Sequence, residues 1–372
     1  MKNFLTLTLL LLLGQNLAMS DERFYIGTLT DQSSSKGIYM GSLDPETGKL
    51  GALKLAVEVK NPNFLALSPD RKFLYAAICT HGGNAVNAFA LQPDGSLKLL
   101  NERPSGGDDS CHVSVDATGR NVFVANYGGG DIACFSLKPD GSLDQRTAFQ
   151  AFTGSGPYPY RQKKPYAHSV YTDPENKFLY SCDLGSDSVW TFKFNAKDGT
   201  LVPTDPPAAK VSPGSGPRHL AFGPGGKFVY VANEMGHTVE VFSRDAATAR
   251  LTSIQNISTL APGTDDKGVT VAEVACHPSG KWLYISNRGC DTIAVFDIGA
   301  DGKLTLKQDA PSVVSFPRSF AIDPSGKWMI AAGQKGNQIA VLKIDPNTGE
   351  LTAADQSAEV GVPVCVLFVP TK

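Results

Sequence analysis

The chain repeats itself, and no other feature limits its fold as much. SPDRKFLY (68–75) returns as DATGRNVFV (116–124), DPENKFLY (173–180), GPGGKFVY (223–230), HPSGKWLY (277–284) and DPSGKWMI (323–330). A second turn alternates with it. It reads DPETGKL, QPDGSL, KPDGSL, AKDGTL, DAATARL, ADGKL and DPNTGEL, closing at Leu50, Leu97, Leu143, Leu201, Leu251, Leu304 and Leu351. A period of about 50 residues is the signature of a propeller or a solenoid.

Short runs rich in Val, Ile, Phe and Tyr flank each turn, as hairpins require; FVYVAN, TVEVFS and TIAVFDI are examples. Helix-period stretches are essentially absent. Each unit therefore reads as four antiparallel strands, one propeller blade. The second turn occurs seven times and the first six times. The missing copy falls at the chain ends. VPVCVLFVP (362–370) matches the first strand of a unit, and ERFYIGTL and GIYMGSLD match the second and third. The pattern predicts an all-β, seven-bladed β-propeller over 21–372, with four antiparallel strands per blade. Its last blade is closed by both termini, which leaves no open sheet edge.

The N-terminus, MKNFLTLTLLLLLGQNLAMS, has one Lys, an apolar run from Phe4 to Leu13, and small residues at Ala18 and Ser20. It reads as a secretory signal peptide over 1–20, too short and wrongly flanked for a membrane anchor. The mature chain is expected to be exported, periplasmic or secreted, and monomeric. A formal net charge of −2 gives no electrostatic footprint for nucleic acid or an anionic membrane. The seven Cys are an odd number, so at least one stays outside any intramolecular disulfide. Their neighbours are apolar and strand-like, as for Cys134 in DIACFSL, which suits small core residues. No Cys or His spacing fits a zinc site.

Counting strands outwards from the central channel puts both repeated turns on one face. The start of each innermost strand and the end of each second strand then meet at the opposite mouth. One repeat column there holds Asn63, Cys111, His168, Arg218, Ala272 and Arg318. At the strand ends stand Asn126-Tyr127, Asn233-Glu234 and Asn287-Arg288. His168, Arg218, Glu234, Arg288 and Arg318 thus converge from four successive blades. Equivalent positions elsewhere hold Ala272 or Leu184, so the repeat does not require these charges and a ligand does. The two longest insertions, FTGSGPYPYRQKKPYAH and LAPGTDDKGVTVAE, are expected to open on the same mouth. Arg161, Lys163 and Lys164 in the first read as a solvated loop, with an anion lid as the alternative. Arg318, His112, Asn126 and Tyr127 complete the rim as candidate substrate contacts. Each also has a plainer reading: a solvated rim for Arg318, strand-end capping for Asn126. His112 and His219 should alternate to the far side of their strands and serve packing.

SCHVSVDATGRNVFVANYGGG, PYAHSVYTDPENKFLY, GPRHLAFGPGGKFVYVANE, HPSGKWLYISNRG and SFPRSFAIDPSGKW carry a resemblance. Over 22–370 the chain resembles the lactonase family of seven-bladed propellers. That family includes the bacterial propeller-type 6-phosphogluconolactonase and the fungal carboxy-cis,cis-muconate cyclase. The resemblance implies an active site of one His, two Arg and one Glu, matched here by His168, Arg218, Glu234 and Arg288. It implies lactone hydrolysis, or the reverse lactonising cycloisomerisation, of a small anionic lactone or carboxylate, with no cofactor and no nucleic acid. Such hydrolysis needs an activated water, an oxyanion stabiliser and a proton for the leaving alkoxide. His168 suits the general base, and Glu234 an orienter or second acid/base. Arg218 and Arg288 suit the anion clamp. The mouth is more basic than acidic, so no metal is expected. A non-enzymatic propeller that binds a ligand or partner protein is the alternative.

Overall fold

The computed structural model describes residues 21–370 apart from 32 and 81–82. The expected signal peptide, 1–20, lies outside the described residues. Seven four-stranded antiparallel sheets form the seven blades. Their innermost strands are Pro62–Leu67, Ser110–Val115, Ala167–Thr172, Pro217–Phe222, Thr270–Cys276, Pro317–Ile322 and Pro363–Val369, numbered here as blades one to seven. Blade seven is the composite one. Its innermost strand is C-terminal and pairs with Glu22–Thr28, from Arg23 opposite Val369 to Ile26 opposite Val366. The ring is closed by hydrogen bonds between the two chain ends.

Turn chemistry explains the repeat. Asp173 Oδ1 accepts the backbone N–H of Lys177 at 2.7 Å and of Phe178 at 3.0 Å. Asp116 does the same for Arg120 and Asn121, both at 2.8 Å. The leading Asp therefore satisfies donors that a tight turn would leave bare. The aromatic in the same motif ties blade to blade. Tyr25, Tyr75, Tyr230 and Tyr284 donate their hydroxyls to the carbonyls of Gly95, Gly141, Gly302 and Gly349 in the next blade. Those glycines have φ between 75° and 88°, the left-handed region where a side chain would be strained. The two turn motifs thus recur together because they are partners across each blade interface.

The core lies between blades. Tyr230, Val241, Val271, Ile285 and Phe296, for example, pack blade four onto blade five. The inner strands of each sheet are buried on both faces, which explains near-continuous apolar strands such as FVYVA.

One irregularity matters for function. Every innermost strand slips register at its mouth end. Pro217 pairs with Asn233 but His219 with Ala232, so Arg218 is an extra residue. Asn63, Cys111, His168, Arg218 and Arg318 all occupy this bulge, and blade five bulges at Ala272–Glu273. A bulge breaks the two-residue alternation and re-aims side chains. This overturns the expectation that His219 points away from Arg218. The Arg218 Nη1 and His219 Nδ1 atoms are 3.1 Å apart. Among the described residues no helix is long and apolar enough to cross a membrane, and the one α-helix is a single turn, Pro159–Gln162, in the first insertion.

Candidate active site

Glu234 follows the second strand of blade four, and its backbone N–H bonds the Gly216 carbonyl at 2.8 Å. Its carboxylate is the hub of the mouth. Oε2 lies 3.0 Å from Arg288 Nη2, 3.3 Å from Arg218 Nε and 3.8 Å from His168 Nε2. Oε1 lies 2.6 Å from Arg161 Nη2. The four residues predicted as the active site therefore do meet, and a fifth joins them. Burial alone would raise the Glu234 carboxyl, but Arg288, His168, Arg218 and Arg161 outweigh it and hold it far below the ordinary carboxylate range. A carboxylate so held does not take up protons near neutrality. Of its two expected roles, the geometry supports orienter over acid/base.

Arg161 is the residue that sequence reasoning left in solvent. It sits on the one-turn helix, whose next residue, Gln162, is fully buried and donates to Leu184 O at 2.8 Å and Asp187 Oδ1 at 2.7 Å. Gln162 plugs the loop into blade three and thereby aims Arg161 at Glu234. Insertion length on the mouth face was a usable signal; a partner 73 positions away was not. Lys164 bonds Gly128 O, and Lys163 stays exposed.

His168 has no hydrogen bond from Nε2 among the described residues, and its Nδ1 is 3.9 Å from Cys111 Sγ. Burial and the nearby Arg218 charge lower its pKa well below the usual imidazole value, despite Glu234. Its imidazole is held in the neutral form at neutral pH. Arg218 Nη1 donates to Ala272 O at 2.8 Å and Arg288 Nη2 to Val271 O at 3.1 Å. Both guanidiniums keep a buried Nε without a hydrogen-bond acceptor. The Arg288 guanidinium also stands 5.2 Å from the ring of Phe316.

The remaining rim candidates divide. Tyr127 stands edge-on to His168, ring centres 5.3 Å apart, with Tyr166 against it at 4.9 Å. Arg318 is half-buried and makes no hydrogen bond or ion pair among the described residues. Desolvation and the like charges of Arg218 and Arg288 lower its pKa to about 10. Asn126 turns away from the mouth. Its amide donates to Asp131 at 2.6 Å and accepts from Ser110 at 2.8 Å, pinning the turn between the second and third strands. Asn233 to Thr238 and Asn287 to Thr292 repeat that clip, at 3.0 and 3.1 Å. His112 lies below the mouth, its ring 4.2 Å from Phe64 and 4.6 Å from Tyr171. These two residues are separated from the reactive set, as their packing and capping readings anticipate.

Behind Arg218 lies a buried pair. His219 Nδ1 is 3.0 Å from Glu273 Oε1. Burial pushes the Glu273 carboxyl up to about 6 against the pull of Arg218, and burial keeps His219 neutral. All seven cysteines are free thiols. Among the described residues no three His, Cys, Asp or Glu side chains gather as a metal-binding group.

The chain can now be set beside known proteins. A family model described as a seven-bladed β-propeller lactonase matches residues 23–368. A 6-phosphogluconolactonase of Bacillus subtilis is 33% identical over 347 residues, covering 93% of this chain and 97% of its own. The crystal structure of a candidate 6-phosphogluconolactonase from Bacteroides fragilis superposes with a TM-score of 0.88 at 35% identity, covering 95% of this chain and 99% of that one. A periplasmic gluconolactonase of Pseudomonas aeruginosa gives 0.89 at 28% identity, covering 95% and 100%. A match this complete, with all seven blades in order, means that the chain belongs to the family of seven-bladed β-propeller lactonases.

Proposed function

We propose that this protein hydrolyses a lactone of a sugar acid at the mouth described above. The observation that carries the reading is the Glu234 hub, which holds three arginines around a neutral, unpartnered His168. Each need of lactone hydrolysis has a group to meet it. His168 Nε2 takes a proton from water as the water adds to the ring carbonyl. The buried charges of Arg218 and Arg288, and the whole guanidinium of Arg318, stabilise the oxyanion that develops. Glu234 stabilises the imidazolium without accepting its proton, as an oriented carboxylate does beside other catalytic histidines. The imidazolium then protonates the departing ring oxygen, and the product leaves as a hydroxy acid. The low pKa of His168 makes it a weaker base but a readier proton donor, which suits alkoxide departure.

The relatives named as lactonases support the reaction class, and the periplasmic relative and the apolar N-terminus support an exported setting. The test is acid release by purified protein from sugar lactones, phosphorylated sugar lactones and muconolactones. Turnover of one class above spontaneous opening, abolished in His168→Ala, is the expected result. No turnover of any of the three would overturn the reading.

A further inference from the structure

The mouth has two unlike halves. Blades three to five carry His168, Arg218, Glu234 and Arg288. Across the channel, blades seven, one and two surround a cavity of ≈ 510 Å³ that shares Arg318 with the reactive half. Three carboxylates line it: Asp31, Asp108 and Asp109. None is ion-paired among the described residues. Each is held instead by one neutral donor. Asn61 Nδ2 reaches Asp31 Oδ2 at 2.7 Å, Asn84 Nδ2 reaches Asp108 Oδ1 at 2.7 Å, and Cys79 Sγ reaches Asp109 Oδ1 at 2.8 Å. Each carboxylate therefore keeps a second oxygen with unused acceptor capacity.

Asn63 adds an independent observation. It occupies the same bulge column as His168 and Arg218, lines this cavity, and is only 6% exposed. Its Nδ2 is directed to Ser110 O at 3.4 Å, which leaves Oδ1 buried without a partner. A buried amide oxygen without a donor is destabilising unless water or a ligand supplies one.

Among the described residues the cavity thus offers many acceptors and one lining cation, Arg318, with Lys164 at its edge on the Gly128 carbonyl. We propose that it is the subsite for the hydroxyl-bearing tail of the lactone, and that it selects unphosphorylated sugar lactones over those with a terminal phosphate. Hydroxyls donate to Asp31, Asp108, Asp109 and Asn63 Oδ1. Arg318, between the halves, reaches the carboxyl end of the substrate. A phosphate dianion in the same cavity faces three carboxylates, and like charges at close quarters are the usual means of excluding a wrong ligand. The proposal rests on the lactonase reading, so its test includes binding as well as turnover.

The variants are Asp31→Asn, Asp108→Asn and Asp109→Asn, singly and together. Asn preserves shape and acceptor, and at Asp109, where φ is 60°, it tolerates the left-handed backbone that other residues resist. The probes are glucono-1,5-lactone and its 6-phosphate in turnover, and gluconate and 6-phosphogluconate in calorimetry. Wild type should favour the unphosphorylated member of each pair by about 10-fold or more, a differential of ~1.4 kcal/mol. The triple variant should shrink that ratio at least 10-fold, mainly through KM and Kd of the phosphorylated member. If lactones turn over but wild type prefers the phosphorylated one, or the triple variant leaves the ratio unchanged, the subsite is wrong and the lactonase reading stands. If no lactone turns over but gluconate still binds in preference and the variants relax it, the subsite stands and the reaction does not.

Discussion

Replacing Glu234 by Gln keeps the shape of the hub and removes its charge. In the native protein the carboxylate, 8% exposed, faces guanidinium groups at 2.6, 3.0 and 3.3 Å. Breaking a buried ion pair costs about 3–5 kcal/mol because the partner charge is left uncompensated. Two features pull the figure to the lower end. The Gln oxygen still accepts from one guanidinium, and Arg161, with its side chain 35% exposed, can return to water. About 3 kcal/mol is therefore expected, and in a chain this long each kcal/mol moves Tm by no more than ~2–4 °C. At ~2.1 cal/mol/K of unfolding entropy per residue, thermal melts should fall by about 4 °C, with cooperativity retained. Turnover should fall by ~10²–10³, the usual effect of disordering oxyanion donors. The pH profile discriminates further. Glu234 raises the His168 pKa, so its loss should move the acidic limb of kcat to still lower pH. An acidic limb that moves to higher pH would contradict the coupling between Glu234 and His168. A melt and turnover equal to wild type would show that Glu234 does not organise the arginines.

Four further outcomes can be measured. His168→Ala should lower turnover by ~10² or more while leaving the melt nearly unchanged. In wild type, burial keeps His168 neutral, so kcat/KM should hold steady as pH falls through 6.5, where an ordinary imidazole becomes half protonated; an acidic limb at or above 6.5 refutes that assignment. Arg161→Ala should raise KM several-fold with little loss of stability, since Gln162 still anchors the loop; an unchanged KM would return Arg161 to the solvated loop. Glu22 is buried, with Oε2 unpartnered, and burial followed by the nearby Asp323 raises its pKa from 4.5 to about 7. The folded form then holds a proton that the unfolded chain has lost, so this stabilisation is full below 4.5 and disappears as pH rises through 7. Glu22→Gln should therefore raise Tm at pH 8 and leave it nearly unchanged at pH 4.5, and equal shifts at both would contradict the assignment.

The fold was legible because a repeat multiplies a weak signal. One SPDRKFLY-like turn is ambiguous; six in step with seven copies of the second turn are not. The columns also located the mouth, so His168, Arg218, Glu234 and Arg288 could be grouped before any coordinates. What failed was alternation within the innermost strand. A strand written as period two sends His219 away from Arg218, and no residue in GPRHLAF announces the bulge that brings them together. Arg161 was hidden for another reason. A loop's path depends on what its buried anchor finds, and Gln162 finds Leu184 and Asp187 through tertiary contact alone. The acidic half of the mouth was invisible because Asp31, Asp108 and Asp109 lie in loops outside the repeat columns.

The recurring bulge explains how a near-symmetric ring carries an asymmetric site. The backbone device is the same in every blade, so its stability does not depend on which side chain it presents. Blade two can place Cys111 there, blade three His168, blade four Arg218 and blade six Arg318 without altering the sheets. Stability resides on the opposite face, where the tyrosine hydroxyls join neighbouring blades, and in the strand pairing of the two termini. That separation lets the mouth hold an unfavourable charge set. Arg161, Arg218, Arg288 and Arg318 stand around one carboxylate, and Arg318 has no partner at all among the described residues. Burial first, and then the like charges of Arg218 and Arg288, lower the pKa of Arg318. An incoming carboxyl or developing oxyanion relieves that repulsion where a neutral ring carbonyl relieves less of it. Under the proposed hydrolysis, that repulsion favours the charged transition state over the ground state, the direction catalysis requires.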